Sequence, residues 1–109
     1  MNDATTYMLQ RLTAAIIVPL VIIHLGVIIY AIDGGLTSAE IIARTRSTIF
    51  WPAFYGLFVI TASIHAPLGL RNIIREWTGW HGQSLDVATA ILAVVLMSAG
   101  LRAVWGLCG

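Results

Sequence analysis

Two histidines stand where an ionisable side chain is costly. His24 sits in the apolar run TAAIIVPLVIIHLGVIIYAI, and His65 sits in IFWPAFYGLFVITASIHAPLGL. Hydrocarbon cannot solvate such a group, so each is a functional hypothesis by default. Imidazole suits iron, and a pair of histidines on membrane helices is a common way to hold haem. No C-x-x-C-H motif is present, so a haem here would be type b, without covalent links. The neighbours of His65 favour this chemistry. Gly69 lies one turn on and Thr61 one turn back, on the same face. A glycine lets a flat macrocycle approach the backbone, and Pro67 frees the carbonyl of Ser63 and allows a kink. The competing interpretation of either histidine is a hydrogen bond between helices. His81, in a loop, reads as solvated or interfacial.

The elements that must position these histidines are membrane spans. Leu12 to Ile32, Ile49 to Leu70, and Leu85 to about Leu107 are each apolar. Each has the roughly 20 residues a helix needs to cross about 30 Å of hydrocarbon. A chain this short cannot close a β-barrel, so helix is the available form. The expected fold is all-α: one membrane domain over 1–109 with transmembrane helices at about 12–32, 49–70 and 85–107. Composition agrees. Hydrophobic residues make up 59% and charged residues 10%, against about 25% charged in soluble domains. A chain of 109 residues could not hide so much apolar surface from water. Net charge is +1, from six arginines and no lysine, which excludes a nucleic-acid binder. The single cysteine, Cys108, excludes an internal disulfide and a cysteine-ligated zinc or iron–sulfur site within the chain.

Local signals punctuate the spans. Asp33-Gly34-Gly35 marks a turn. Thr37, Ser38 and Glu40 suit a helix start, so the second helix is expected to begin before the membrane. WTGWHG (77–82) is a second break, followed by Ser84 as an N-cap and Asp86 in a favourable first turn. The amino end, MNDATTYMLQR, is too polar and short to read as a cleaved secretory signal. Tyr7, Tyr30, Trp51, Trp77, Trp80 and Trp105 read as interfacial belts. Arg11, Arg71 and Arg75 lie on one side and Arg44, Arg46 and Arg102 on the other, so charge alone leaves orientation open. Arg44 and Arg46 read as headgroup contacts, and Asp3, Glu40 and Asp86 as solvated or capping groups. Ala90, Ala93 and Gly100, with Met97 between, read as a packing face of the third helix.

Spacing constrains the histidines further. With Arg11 and Arg71 taken as marking one membrane face, His24 lies 13 residues from it and His65 six. At about 1.5 Å per residue these are roughly 20 Å and 9 Å deep. Two axial nitrogens on one iron are only about 4 Å apart. His24 and His65 therefore cannot share a haem within one chain, and each would need a ligand from a second chain. Haem carries two propionates, and Arg11 and Arg71, on the face nearer His65, suit them; lipid headgroup pairing is the alternative.

The motifs QRLTAA (10–15) and His65-Ala-Pro-Leu-Gly69-Leu-Arg71, in a three-span chain of this length, resemble the membrane-anchor cytochrome b subunits of succinate dehydrogenase and fumarate reductase. The resemblance implies a non-flavin membrane subunit of succinate:quinone oxidoreductase, an enzyme of the tricarboxylic acid cycle. A flavoprotein subunit and an iron–sulfur subunit would carry the dehydrogenase chemistry. The anchor would dock the iron–sulfur subunit, bind one or two haem b shared with a second membrane anchor (the same chain or a different one), and help form the quinone site. It implies His65 as an axial ligand, Arg11 near the propionates and the quinone, and Glu76, followed by Trp77, near the quinone, with Arg75 shaping the same pocket. Several one-haem members have Ser where this chain has Tyr7, whose hydroxyl can still donate to a quinone carbonyl. Two-haem members use a first-helix histidine for a distal haem, which corresponds to His24. The resemblance places the chain in the inner or cytoplasmic membrane with its amino end in the cytoplasm. The alternatives are a cofactor-free membrane assembly protein and a haem-less anchor.

Overall fold

The first helix begins far ahead of its apolar run. In the computed structural model, which describes residues 2–109, the elements are α1 (Asp3–Gly34), α2 (Ser38–Thr45), α3 (Phe50–Thr78) and α4 (Gln83–Cys108). The Asn2 side chain accepts the Ala4 N–H at 2.8 Å, and Asp3 adds a negative charge to the first turn. Both satisfy the positive end of a helix, so the polar residues before Leu12 continue α1. At the other end Gly35 has φ 110°. A Cβ there would also collide with the Glu40 carboxylate, so glycine is required.

The expected early start of the second helix is present, but it belongs to a separate element. The Thr37 hydroxyl accepts the Glu40 N–H at 3.2 Å and donates to the Glu40 carboxylate at 2.7 Å. The helix then stops at Thr45. Ser47 donates to the Arg44 carbonyl at 2.6 Å, one of the local bonds that compete with helix. α3 starts afresh at Phe50, with Pro52 in its first turn, where a missing N–H costs little. It runs through the buried Pro67 and ends at Gly79, which is left-handed at φ 73°. The N-cap of α4 is Gly82, not Ser84; the Ser84 hydroxyl instead accepts the Trp80 indole N–H at 2.7 Å.

α3 is the central helix, packed against α1 on one side and α4 on the other. The bundle measures 47 × 23 × 23 Å, enough to span about 30 Å of hydrocarbon and reach into both headgroup layers. α1, α3 and α4 are each long and apolar enough to cross a membrane, and under a third of each span's apolar window is buried within the chain. The interior is unusually polar. Thr6, Thr13, Thr61 and Thr89 are all buried. Each hydroxyl donates to the carbonyl four residues back, at 2.7–2.9 Å. Such self-satisfied small residues let helices approach closely, while lipid accepts the large Ile, Leu and Val side chains outside.

α2 straps the end of the bundle remote from the amino terminus. Thr45 donates to the Leu107 carbonyl at 2.7 Å and Arg46 to the Gly106 carbonyl at 3.3 Å. These are carbonyls that the last turn of α4 leaves unpaired. Arg44 donates to the Gly35 carbonyl at 3.2 Å and lies over the Tyr30 ring, 5.5 Å from its centroid. Both arginines, expected at headgroups, are thus engaged by helix ends of this chain. On α4, Leu85 and Thr89 are buried, and Gly100 meets Val59 of α3. Ala90, expected on that packing face, is exposed one residue around the helix from Thr89.

A Cβ at Gly100 would stand 2.5 Å from Val59 Cγ1. Gly100→Ala should therefore destabilise the bundle by about 1–3 kcal/mol, read as a lower unfolding midpoint in detergent. Adding Val59→Ala should restore most of the loss.

Candidate functional site

Polar residues on α1 and α3 form two facing stripes. On α1 they are Asp3, Thr6, Gln10 and Thr13; on α3 they are His65, Asn72 and Glu76, with Gly69 between them on the same face. Steps of three and four keep each set on one helix face. The contacts give the antiparallel register. Thr13 Oγ1 is 3.2 Å from His65 Nδ1. Gln10 Nε2 lies 3.2 Å from where a Cβ on Gly69 would be. Asp3 meets Arg75 at 3.5 Å. Toward the other end, the His24 ring packs edge-on against Tyr55 and Phe58, with centroids 6.0 and 5.5 Å away.

The Thr13 contact decides what His65 can do. The Thr13 hydroxyl is 2.7 Å from the Leu9 carbonyl and donates to it. Its oxygen is then the acceptor for His65 Nδ1–H. That bond places a proton on Nδ1, so that a lone pair for a metal would be on Nε2, and it fixes the plane of the ring. Nε2 makes no hydrogen bond to the described residues. An imidazole held through Nδ1 with Nε2 free is the arrangement an axial metal ligand needs. Among the described residues no group of three or more His, Cys, Asp or Glu could hold an ion. One oriented imidazole is the kind of single donor that fits an iron bringing four nitrogens of its own, as in haem.

His24 has the same donor chemistry in different surroundings. Its Nδ1 is buried without a partner. It lines a cavity of about 200 Å³ with Trp51, Tyr55 and Arg44. The register also revises the depth of the two rings. Gln10 lies level with Gly69, which puts Arg71 about a turn further out than Arg11, so the two do not mark one plane. Thr13 is level with His65 and lies 11 residues from His24, which at 1.5 Å per residue separates the histidines by about 16 Å along the bundle. One iron cannot take both.

At the amino-terminal end the stripes open into a cavity of about 460 Å³. Of the residues expected around a quinone, Tyr7, Arg11, Arg75 and Glu76 line it; Trp77 does not, and is 84% exposed at the end of α3. Arg71 lines it too, buried, with Nε bonded to Asp86 of α4 at 2.9 Å. Asp86, expected as a capping group, thus anchors this arginine. The Arg11 guanidinium lies over the Tyr7 ring, 5.7 Å from its centroid. The cavity holds three guanidiniums and two carboxylates, so it favours an electron-rich guest. Gly69, expected to admit a macrocycle, has its open side occupied by Gln10. Sequence reasoning did not single out Thr6, Gln10, Thr13 or Asn72. Their three- and four-residue spacing, in phase with His24 on α1 and His65 on α3, was the available signal.

The fold and these sites define a multi-pass, all-α membrane subunit of three spans. The family model for the succinate dehydrogenase/fumarate reductase transmembrane subunit matches residues 2–104. The chain belongs to that family and is a membrane subunit of the complex II type. No curated protein and no solved structure matches it significantly.

Thr13→Val keeps the shape but leaves His65 Nδ1 without an acceptor. It should cost about 1–3 kcal/mol of stability, measured by thermal unfolding in detergent, and Thr13→Ser should recover most of it.

Proposed function

We propose that this chain is the haem b-binding anchor of a succinate:quinone oxidoreductase. In this role it docks the iron–sulfur subunit, which with the flavoprotein subunit carries the dehydrogenase chemistry, and it shapes the quinone site. The observation that carries the proposal is the meeting, at one end of α1 and α3, of the Thr13-anchored His65 imidazole and the 460 Å³ charged cavity. His65 Nε2 is the nitrogen that would hold the haem iron from this chain, and a second membrane anchor would supply a further ligand. Haem b, when bound, supplies a one-electron store beside the quinone cavity.

The remaining work falls to residues of this chain. Arg11 and Arg71 neutralise propionates, and the Asp86 ion pair holds Arg71 in place. Tyr7 and Arg75 orient quinone carbonyls. Reduction of a quinone by two electrons takes up two protons, and the exposed Glu76 carboxylate at the cavity is suited to relay them. His24 is the donor for a distal haem, at the depth the register gives. The cavity end, with the amino terminus, faces the cytoplasm and the iron–sulfur subunit, and the chain sits in the inner or cytoplasmic membrane. A haem-less anchor is the second proposal, favoured by the Thr13–His65 bond, which already joins two helices.

His65→Ala should abolish the proximal haem bands in the reduced-minus-oxidised spectrum of the purified complex; a spectrum of full height would reject the assignment. Glu76→Gln should slow quinone reduction at least tenfold with haem content unchanged, since a positioned proton donor contributes about 10²–10⁴-fold. An unaltered rate would remove Glu76 from the relay.

A further inference from the structure

Gln10 is the residue of the cavity whose state is least explained by folding. It lines the cavity beside Arg11, yet its Oε1 is closed to solvent and has no hydrogen-bond partner among the described residues. A buried acceptor left unpaired costs about 1–3 kcal/mol. Its position is nonetheless well defined. The amide nitrogen lies 3.2 Å from the place a Cβ on Gly69 would take, closer than an ordinary van der Waals contact. A Cβ at 69 would make the amide shift by a few tenths of an ångström. The Thr13 hydroxyl, which also holds His65, reaches the Gln10 backbone carbonyl at 3.1 Å. Gln10 therefore occupies the level between the charged mouth of the cavity, where Asp3 and Arg75 pair, and the His65 ring.

The geometry points to Gln10 as a residue that binds the quinone headgroup at the inner end of the cavity, donating Nε2–H to a quinone carbonyl. This rests on the quinone cavity proposed above and assigns a specific contact within it. A quinone offers two carbonyl acceptors, and a quinol offers two O–H donors. The carboxamide carries both complements, Nε2–H for the carbonyl and Oε1 for the hydroxyl. It can hold the headgroup before and after reduction without changing its own charge. The arginines can only donate, and an ionised Glu76 can only accept. Oε1 is closed off from the cavity here, so it would accept from a quinol O–H only after the carboxamide turns, and that bond would relieve the cost of burying the oxygen. Gly69 serves this contact by leaving room for the amide.

The test uses the assembled complex in detergent, with decylubiquinone or 2,3-dimethyl-1,4-naphthoquinone, whichever it turns over, as the quinone probe. Gln10→Met keeps the side chain's length and removes both polar atoms. It should raise the KM for the probe about tenfold, the loss of one hydrogen bond in a buried site, with kcat within about twofold. The haem spectrum and succinate oxidation by a phenazine acceptor should not change. Gly69→Ala, which displaces the amide, should raise KM in the same direction, and it carries the test should Gln10→Met fail to assemble. A KM unchanged in both variants, while Arg75→Leu raises it, would overturn the role of Gln10 and leave the cavity standing. A KM unchanged in all three would overturn the cavity as the quinone site as well.

Discussion

In hydrocarbon a polar side chain has no solvent to turn to, and the pairing of α1 with α3 follows from that constraint. Thr6, Gln10 and Thr13 on one helix and His65, Asn72 and Glu76 on the other cannot all face lipid without large cost. Placing the two stripes against each other turns them away from lipid and pairs Thr13 with His65. The Thr13–His65 bond then fixes register as well as stability, since sliding either helix by one turn would break it and bring Gln10 onto a residue with a side chain in place of Gly69. Every distance in the site descends from this register, including the separation of the two histidines.

The two ends of the bundle solve different problems. At the amino-terminal end the stripes diverge and their charged residues line an open cavity. Arg71 can sit buried there because Asp86, on a third helix, neutralises it. An arginine buried without that partner would carry a far larger desolvation penalty. At the opposite end α2 closes the structure by spending its polar groups on the carbonyls of α1 and α4. Arg44 and Arg46 are thereby bound to helix ends, and the small cavity beside His24 is mainly apolar. The asymmetry gives one end a guest site rich in charge and the other a sealed cap.

The outer surface completes the picture of a subunit. Large Ile, Leu and Val side chains on α1 and α4 are exposed, which suits acyl chains or another apolar helix. α3 is held between its neighbours by small residues, above all Gly100 against Val59. Close approach at Gly100 needs no polar bond, whereas nearer the cavity α3 is tied to α4 by the Arg71–Asp86 ion pair and to α1 by the Thr13–His65 bond.

The amino-acid sequence by itself determined the three spans, the all-α class and the two intramembrane histidines, because hydropathy over about 20 residues and the cost of an imidazole in lipid are local quantities. It also carried the ends of the helices at Gly35 and Gly79, where backbone geometry demands glycine. Tertiary structure decided the rest. Whether Thr37 opens a second span or a short strap depends on where Leu107 and Gly106, the partners of Thr45 and Arg46, lie, about 60 residues away. Whether Asp86 caps a helix or anchors Arg71 depends on how α3 and α4 pack. Gln10 looks like a flank of the Arg11 motif until α3 presents a glycine opposite it. Relative depth needed the antiparallel register, which no single helix contains. Periodicity can say which residues share a face, but only packing says which faces meet, and the chemistry of this site is made where they do.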